Sequence, residues 1–251
     1  MAGRRVERNP FHEIPANWWP RLPQREPDPF SEQERDAILA YYRNNRPQWS
    51  YAFVYFRFWT GTRPSECTAL KWGSIDLQSS KATVSLSRHL GEENATKTRA
   101  SRRTISLLPT VVELLKSILP LRVEPNSYVF TDEQGKPIEQ GEFGRAFQGV
   151  LRVLKIRPRP FYNLRHTFIS VALTIGCNQK WIAEQTGTSI AMIQEHYGRY
   201  IRDDGDVLLS AYVEKPKLTA KEEKTGTFSR QGLNYRNPLV VPTGIEPVFP
   251  T

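Results

Sequence analysis

Cysteine is scarce: Cys67 and Cys177 are the only two among 251 residues. Neither belongs to a CxxC pair or has a histidine close by in sequence. That argues against a zinc site and a disulfide framework, and fits a reducing, cytoplasmic setting. Long apolar runs are lacking as well. The longest, "WSYAFVYFRFWTG", is interrupted by Arg57 and is too short to cross a bilayer, so no membrane partner is expected. The basic start, Met1 to Arg8, is followed by no apolar segment, which argues against a secretory signal. Acidic residues are the minority: 26 Asp and Glu stand against 35 Lys and Arg, giving a net charge of +9. An excess of that sign favours a polyanionic partner, nucleic acid first. The length allows one sizeable core and at most a small extra module.

What is present divides into three stretches. Residues 1–29 are Pro-rich and read as an extended arm rather than a domain. Residues 30–201 carry the periodic patterns. Ser31 with Glu34 three residues on forms a capping-box signature, and Pro64 suits the first turn of a helix. Apolar helical periodicity is expected over about 49–61, in "PTVVELLKSILP", and over about 140–154, 162–176, 179–186 and 189–197. Three short runs, "SIDLQ", "KATVSLS" and "RRTISLL", are rich in β-branched residues and predict a small three-stranded antiparallel sheet. "RHLGEENATKTRAS" reads as a long hairpin loop between the last two strands. The expected fold is therefore mainly α with this small sheet. Residues 202–251 are polar and read as a loosely ordered tail.

The candidate chemistry lies in four basic or polar stretches. Arg63 follows a glycine turn at a helix start, and Arg165 borders the apolar stripe Leu164, Phe168, Val171 and Ile175. Two guanidinium groups on rigid elements can clamp one phosphate, although each residue taken singly is also compatible with an ordinary salt bridge. Lys97 stands in the hairpin loop with Arg99, Arg102 and Arg103 around it. It can donate a proton to a leaving oxygen or contact a DNA backbone. Tyr197 shares a helix face with Ile190 and Ile193, so it is either a core-edge aromatic or a nucleophile. A phenol of pKa about 10 is about one part in a thousand ionised at pH 7, a cost of roughly 4 kcal/mol that nearby cations or a base must supply.

Taken in order, "GTRPSE", "TKTRASRRTISL", "YNLRHTFIS" and "TGTSIAMIQEHYGRY" resemble the catalytic domain of tyrosine recombinases, the phage integrase family, over roughly residues 30–200. The resemblance implies that Arg63 and Arg165 grip the scissile phosphate and that Glu66 supports Arg63. It implies that Lys97 protonates the leaving 5′-oxygen and that Tyr197, nine residues after Thr188, forms a 3′-phosphotyrosyl link. Arg99, Arg102 and Arg103 would contact DNA. The implied partners are double-stranded DNA, three further protomers in a homotetramer on paired DNA sites, and accessory bending or directionality factors. No cofactor, metal or ATP is implied, and the implied location is the bacterial cytoplasm beside the nucleoid. Two positions depart from the commonest pattern. Tyr162 and Thr188 stand where histidine, or histidine or tryptophan, is usual, and neither titrates near pH 7 as histidine does. His166 reads as a structural histidine. His196 lies about 100° round the helix from Tyr197, and Tyr200 falls past the expected helix end.

No full N-terminal DNA-clamping domain precedes residue 30, which suggests a truncated reading frame. A second reading is accordingly a catalytically impaired DNA-binding remnant. A metal-dependent transposase or nuclease is a third, resting on the separation of Asp76 and Glu113, but no third carboxylate accompanies them. In the tail, "GIEP" (Gly244 to Pro247) is encodable by the complement of a tRNA arm, which suggests overlap of the gene's end with an attachment site.

Overall fold

In a computed structural model, residues 26–95 and 102–213 are described. Lys97, Arg99 and the "GIEP" segment lie outside them. The described residues up to Asp203 form one compact unit; those from Asp204 belong to a second, of which a single helix is described.

Ser31 caps α1 (Glu32–Asn45) through the expected capping box: Glu34 N–H donates to Ser31 Oγ at 3.1 Å, and Ser31 N–H donates to Glu34 Oε2 at 2.8 Å. The next helix, α2 (Gln48–Thr60), is apolar on all sides because it is buried on all sides. It ends at Gly61, whose φ of 64° reverses the chain in the left-handed region that favours glycine. Arg57, which broke the apolar run, is fully buried in this helix. Its Nη1 donates to Phe161 O at 3.1 Å and its guanidinium stacks 4.0 Å over the Phe161 ring. Next comes α3 (Pro64–Thr68), short and started by Arg63 and Pro64.

The sheet is antiparallel in the order β1 (Ile75–Asp76), β2 (Lys81–Val84), β5 (Arg103–Ser106), with Ala82 opposite both Ile75 and Ile105. Ala82, Val84 and Ile105 point into the core at alternate positions. One expectation is corrected here. The end of the run "KATVSLS" and the start of the stretch read as a hairpin loop form a separate two-stranded hairpin, β3 (Leu86–His89) with β4 (Glu92–Ala95), turned at Leu90 and Gly91, both at positive φ. Its second strand, "EENA", has little β propensity. The hairpin is tied down by tertiary contacts instead: Glu93 accepts from Lys71 Nζ at 2.9 Å and from the Tyr128 hydroxyl.

Five helices follow: α4 (Pro109–Ser117), α5 (Gln140–Val153), α6 (Asn163–Thr174), α7 (Gln179–Thr186) and α8 (Ile190–Tyr197). Rings from α2, α5 and the segment before α6 form an aromatic cluster, with Phe53, Phe143, Phe147 and Phe161 at centroid distances of 4.9 to 5.6 Å. Phe161 is thus held by this cluster and by Arg57, which fixes the start of α6. Helix α7 docks on the last strand through the Gln185 side chain, which accepts from Ser106 N–H at 2.9 Å and donates to Ser106 O at 3.0 Å, and through its backbone carbonyl, which accepts from Arg103. The region read as a loosely ordered tail holds a further helix, α9 (Gly205–Val213), on which Val207, Leu209 and Val213 are exposed.

The last residues of the Pro-rich arm are tied to the body. Asp28 O accepts from Asn163 Nδ2 at 2.7 Å, Arg157 and Arg159 pair with the Asp28 carboxylate, and Phe30 is buried in the core. Arg159 also reaches Glu34, so much of the basic stretch "LRVLKIRPRP" is absorbed by internal ion pairs.

Candidate active site

Four chain segments converge on a cleft of about 280 Å³, lined by Arg63, Tyr162, Arg165, His166, Thr188 and Tyr197, with Pro27 and His196 at its wall. Each segment delivers its residue for a local reason. Arg63 is the residue before Pro64, at the start of α3, so its side chain leaves at a helix N-terminus. Tyr162 and Arg165 occupy the first turn of α6. Thr188 follows Gly187, which ends α7 at φ 68°, and Tyr197 closes α8.

The basic groups are organised around one carboxylate. Glu66 is almost fully buried and accepts from the Arg63 backbone N–H at 2.8 Å, Arg63 Nη1 at 2.7 Å, and Arg103 Nη1 and Nη2, both at 2.9 Å. Burial alone would raise its pKa, but the Arg103 hydrogen bond and the two guanidinium charges hold it down at about 2. Arg103, expected beside the DNA, has a side chain only 7% exposed that braces Glu66 and also donates to Gln185 O at 3.0 Å. Arg102, its neighbour, is exposed.

Arg165 is 2% exposed and donates through Nη1 to Gly61 O at 2.8 Å and Thr186 O at 2.6 Å. Those carbonyls end α2 and α7, so helix C-termini orient the guanidinium. Arg63 Nη2 likewise donates to Gly187 O at 2.8 Å. Two guanidinium groups, of Arg63 and Arg103, thus share the Glu66 carboxylate, while Arg165 is held by carbonyls alone, and three positive charges against one negative leave the cleft floor net positive and suited to a phosphate.

Gly187 is needed twice. Its φ lies in the left-handed region, and a Cβ would stand 2.8 Å from Arg103 Nη1, which Glu66 holds in place. Gly187→Ala is expected to cost about 1–2 kcal/mol from the backbone alone and to lower the thermal midpoint by about 2–8 °C. An unchanged midpoint in calorimetry would contradict this.

Tyr197 is the core-edge aromatic that the sequence allowed, and its hydroxyl also reaches the cleft. Its ring is 6% exposed and packs with Phe168, Ile169, Leu173, Ile182 and Ile193. Its hydroxyl enters the cleft and lies 2.6 Å from His166 Nδ1. Burial pushes the phenol's pKa up, with Arg165 opposing. Ile190, expected on the same face, is 40% exposed. Tyr200 lies beyond α8 in a short 3₁₀ turn and lines a different cavity. His166, read as a structural histidine supporting the site, lies directly against the Tyr197 hydroxyl. It is 31 positions from Tyr197, and only the packing of α6 against the 3₁₀ turn and α8 joins them. Tyr162 is 38% exposed and meets the His166 ring edge-on at 5.2 Å. Arg57 was also passed over as a site residue, since nothing in the sequence shows that it holds the carbonyl just before Tyr162.

Asp76 caps its own turn through the N–H groups of Gln78 and Ser79, while Glu113 is exposed on α4. Among the described residues no group of three His, Cys, Asp or Glu side chains could hold a metal ion, and no described helix is long and apolar enough to cross a membrane.

A mainly helical frame with this small sheet is the fold of tyrosine recombinase catalytic domains. Residues 30–201 match the phage integrase family, and the chain belongs to it. It is 26% identical over 210 residues to IntQ of Escherichia coli K12, described as a defective protein, covering 72% of this chain and 52% of that one. An integrase of Streptomyces ambofaciens is 28% identical over 176 residues, covering 61% of this chain and 45% of the relative. The chain thus spans about half the length of the curated relatives it matches. The Tn1549 transposon integrase, solved in complex with circular intermediate DNA, superposes with a TM-score of 0.63 at 18% identity, covering 76% of this chain and 68% of that one.

Proposed function

We propose that this chain is the catalytic domain of a site-specific DNA recombinase or integrase that cuts and rejoins DNA through a 3′-phosphotyrosyl intermediate. The observation that carries this reading is the convergence of Arg63, Arg165 and Tyr197 on one positively charged cleft. In the proposed reaction Arg63 and Arg165 clamp the non-bridging oxygens of the scissile phosphate. As the pentacoordinate phosphorane gains a second negative charge, the already oriented guanidinium groups stabilise it without reorganising. The Tyr197 oxygen bonds to phosphorus, the bond to the 5′-oxygen breaks, and a general acid, assigned to Lys97, protonates that oxygen. Glu66 holds Arg63 in place, and the Thr188 hydroxyl can bond a phosphate oxygen. Arg99 and Arg102 add backbone contacts that position the duplex without specifying sequence. The phosphotyrosyl bond keeps the energy of the broken phosphodiester, so strand exchange needs no ATP, and the scheme uses no metal. A homotetramer on paired sites, helped by DNA-bending or directionality factors, is the assembly this chemistry calls for.

A nicked suicide DNA substrate tests the reading. The native chain is expected to give a protein–DNA band that survives denaturation and is unaffected by chelator. A second reading, a DNA-binding remnant, is favoured by Tyr162 and Thr188, neither of which is a base near neutral pH. It predicts salt-sensitive DNA binding with no covalent band. A band that disappears with chelator would instead point to metal-dependent cleavage.

A further inference from the structure

The proposed attack leaves one requirement open. The Tyr197 phenol must lose a proton, and burial has made that harder than the roughly 4 kcal/mol a free phenol needs at pH 7. Tyr162 and Thr188 are not bases of suitable strength, and the structure brings one imidazole against the reacting oxygen.

Resting on the recombinase reading, we propose that His166 is the general base of this active site, taking the Tyr197 proton on Nδ1 as the phenol attacks, and that the bound DNA phosphate makes it basic enough to do so. The geometry is that of a proton transfer already set up. Nδ1 and Oη are 2.6 Å apart, and the two rings are inclined at 40° with centroids 5.7 Å apart. Both side chains are held: His166 sits on the first turn of α6 next to Arg165, and the Tyr197 ring is packed in a core cluster. Neither has to move for the hydrogen bond to form.

The groups facing His166 explain why DNA would be required. Burial, the Arg165 charge and His196 depress its pKa to about 4, and Asp28 opposes them only in part. The imidazole is therefore neutral at pH 7, with one nitrogen free to accept. Without a phosphate, an imidazolium there would stand beside Arg165 with only the partial offset of Asp28. The Tyr162 ring meets the His166 ring edge-on. A phosphodiester in the cleft brings one negative charge, and the phosphorane brings a second. Charge balances through the step. Neutral phenol, neutral imidazole and a singly charged phosphodiester become an imidazolium and a doubly charged phosphorane. When the bond to the 5′-oxygen breaks, that oxygen takes its proton from the acid assigned to Lys97, and His166 keeps the phenol proton until rejoining returns it to Tyr197. The base is thus inert until a phosphate is seated, which limits wasteful ionisation of the tyrosine.

Three measurements test this. In NMR of the native protein the His166 ring should be the Nε2–H tautomer, with its Nδ1 resonance shifted by Tyr197→Phe. A proton on Nδ1 would overturn the proposal whatever the chain does to DNA. In suicide-substrate kinetics His166→Asn, which keeps a hydrogen-bonding group, should slow covalent capture about 100-fold or more. The rate left in His166→Asn should rise about tenfold per pH unit between pH 7 and 9, as solvent ionisation of the phenol takes over, while the native rate stays nearly flat. Equal rates and profiles would overturn it. With a 5′-bridging sulfur, whose thiolate leaves without an acid, Lys97→Ala should recover and His166→Asn should not. Recovery of His166→Asn would make it the acid and refute the assignment. A native chain that captures no DNA overturns the recombinase reading and this one together. Capture that Tyr197 performs without help from His166 overturns this one alone.

Discussion

Covalent capture of DNA is expected to vanish when Tyr197 is replaced by phenylalanine and to survive at the native level when Tyr200 is. The pair isolates the chemistry from the packing. Phenylalanine keeps the ring that fills the cluster of Phe168, Ile169, Leu173, Ile182 and Ile193, so the core around α8 is unaltered. The hydroxyl is what is lost. Its hydrogen bond to His166 contributes about 1 kcal/mol to folding, a few degrees of thermal midpoint, which leaves a folded protein to assay. Without the oxygen no phosphotyrosyl bond can form, so the loss should be complete rather than graded. DNA binding should persist, because phosphate contacts come from the arginines. Tyr200 lines a separate cavity beside Pro29, Phe30 and Arg159, away from Arg63 and Arg165. Gel detection of the denaturation-resistant band decides the matter. A persistent band with Tyr197→Phe, or its loss with Tyr200→Phe, would place the nucleophile elsewhere.

The second large effect concerns stability. Glu66→Ala is expected to destabilise the chain by about 3–5 kcal/mol at neutral pH, because it strands the guanidinium groups of Arg63 and Arg103 around an empty, nearly dry site. The same carboxylate makes the native protein acid-sensitive, and the sign follows from its depressed pKa. Its folded-state value of about 2 lies below its ordinary 4.5. The unfolded chain therefore takes up the proton first, and the stabilisation is fully present above pH 4.5. It is lost as pH falls from about 4.5 toward 2, an amount on the order of 3 kcal/mol. In Glu66→Ala that acid-dependent part should be missing, so urea midpoints of native and variant should converge between pH 5 and 2. Parallel curves, or a loss below about 1 kcal/mol at pH 7, would show that the guanidinium groups are held by something else. Because Arg63 loses its brace, cleavage should weaken even where the variant remains folded.

Much was legible from local pattern. The capping box at Ser31 and Glu34, Pro64 opening a helix after Arg63, the β-branched runs around Ala82 and Ile105, and the apolar stripe of α6 are all written over a few adjacent residues. Such signals act through short-range sterics and hydrogen bonds that need no tertiary context. The order of the basic and tyrosine motifs also led to the family. The hairpin strand "EENA" was not legible, since its pairing depends on Lys71 and Tyr128 from distant segments.

By itself, then, the sequence determined the helices up to α8, the three-stranded sheet, the family, and which of two neighbouring tyrosines ends α8, but not α9. Only the tertiary structure decided what three charged or titratable side chains do. Arg103 became a brace for Glu66, Arg57 became the anchor of the turn before α6, and His166 came to rest 2.6 Å from the Tyr197 hydroxyl. The reason is physical. Propensity and periodicity act between near neighbours, whereas a buried charge finds its partner across whichever elements the core packs together.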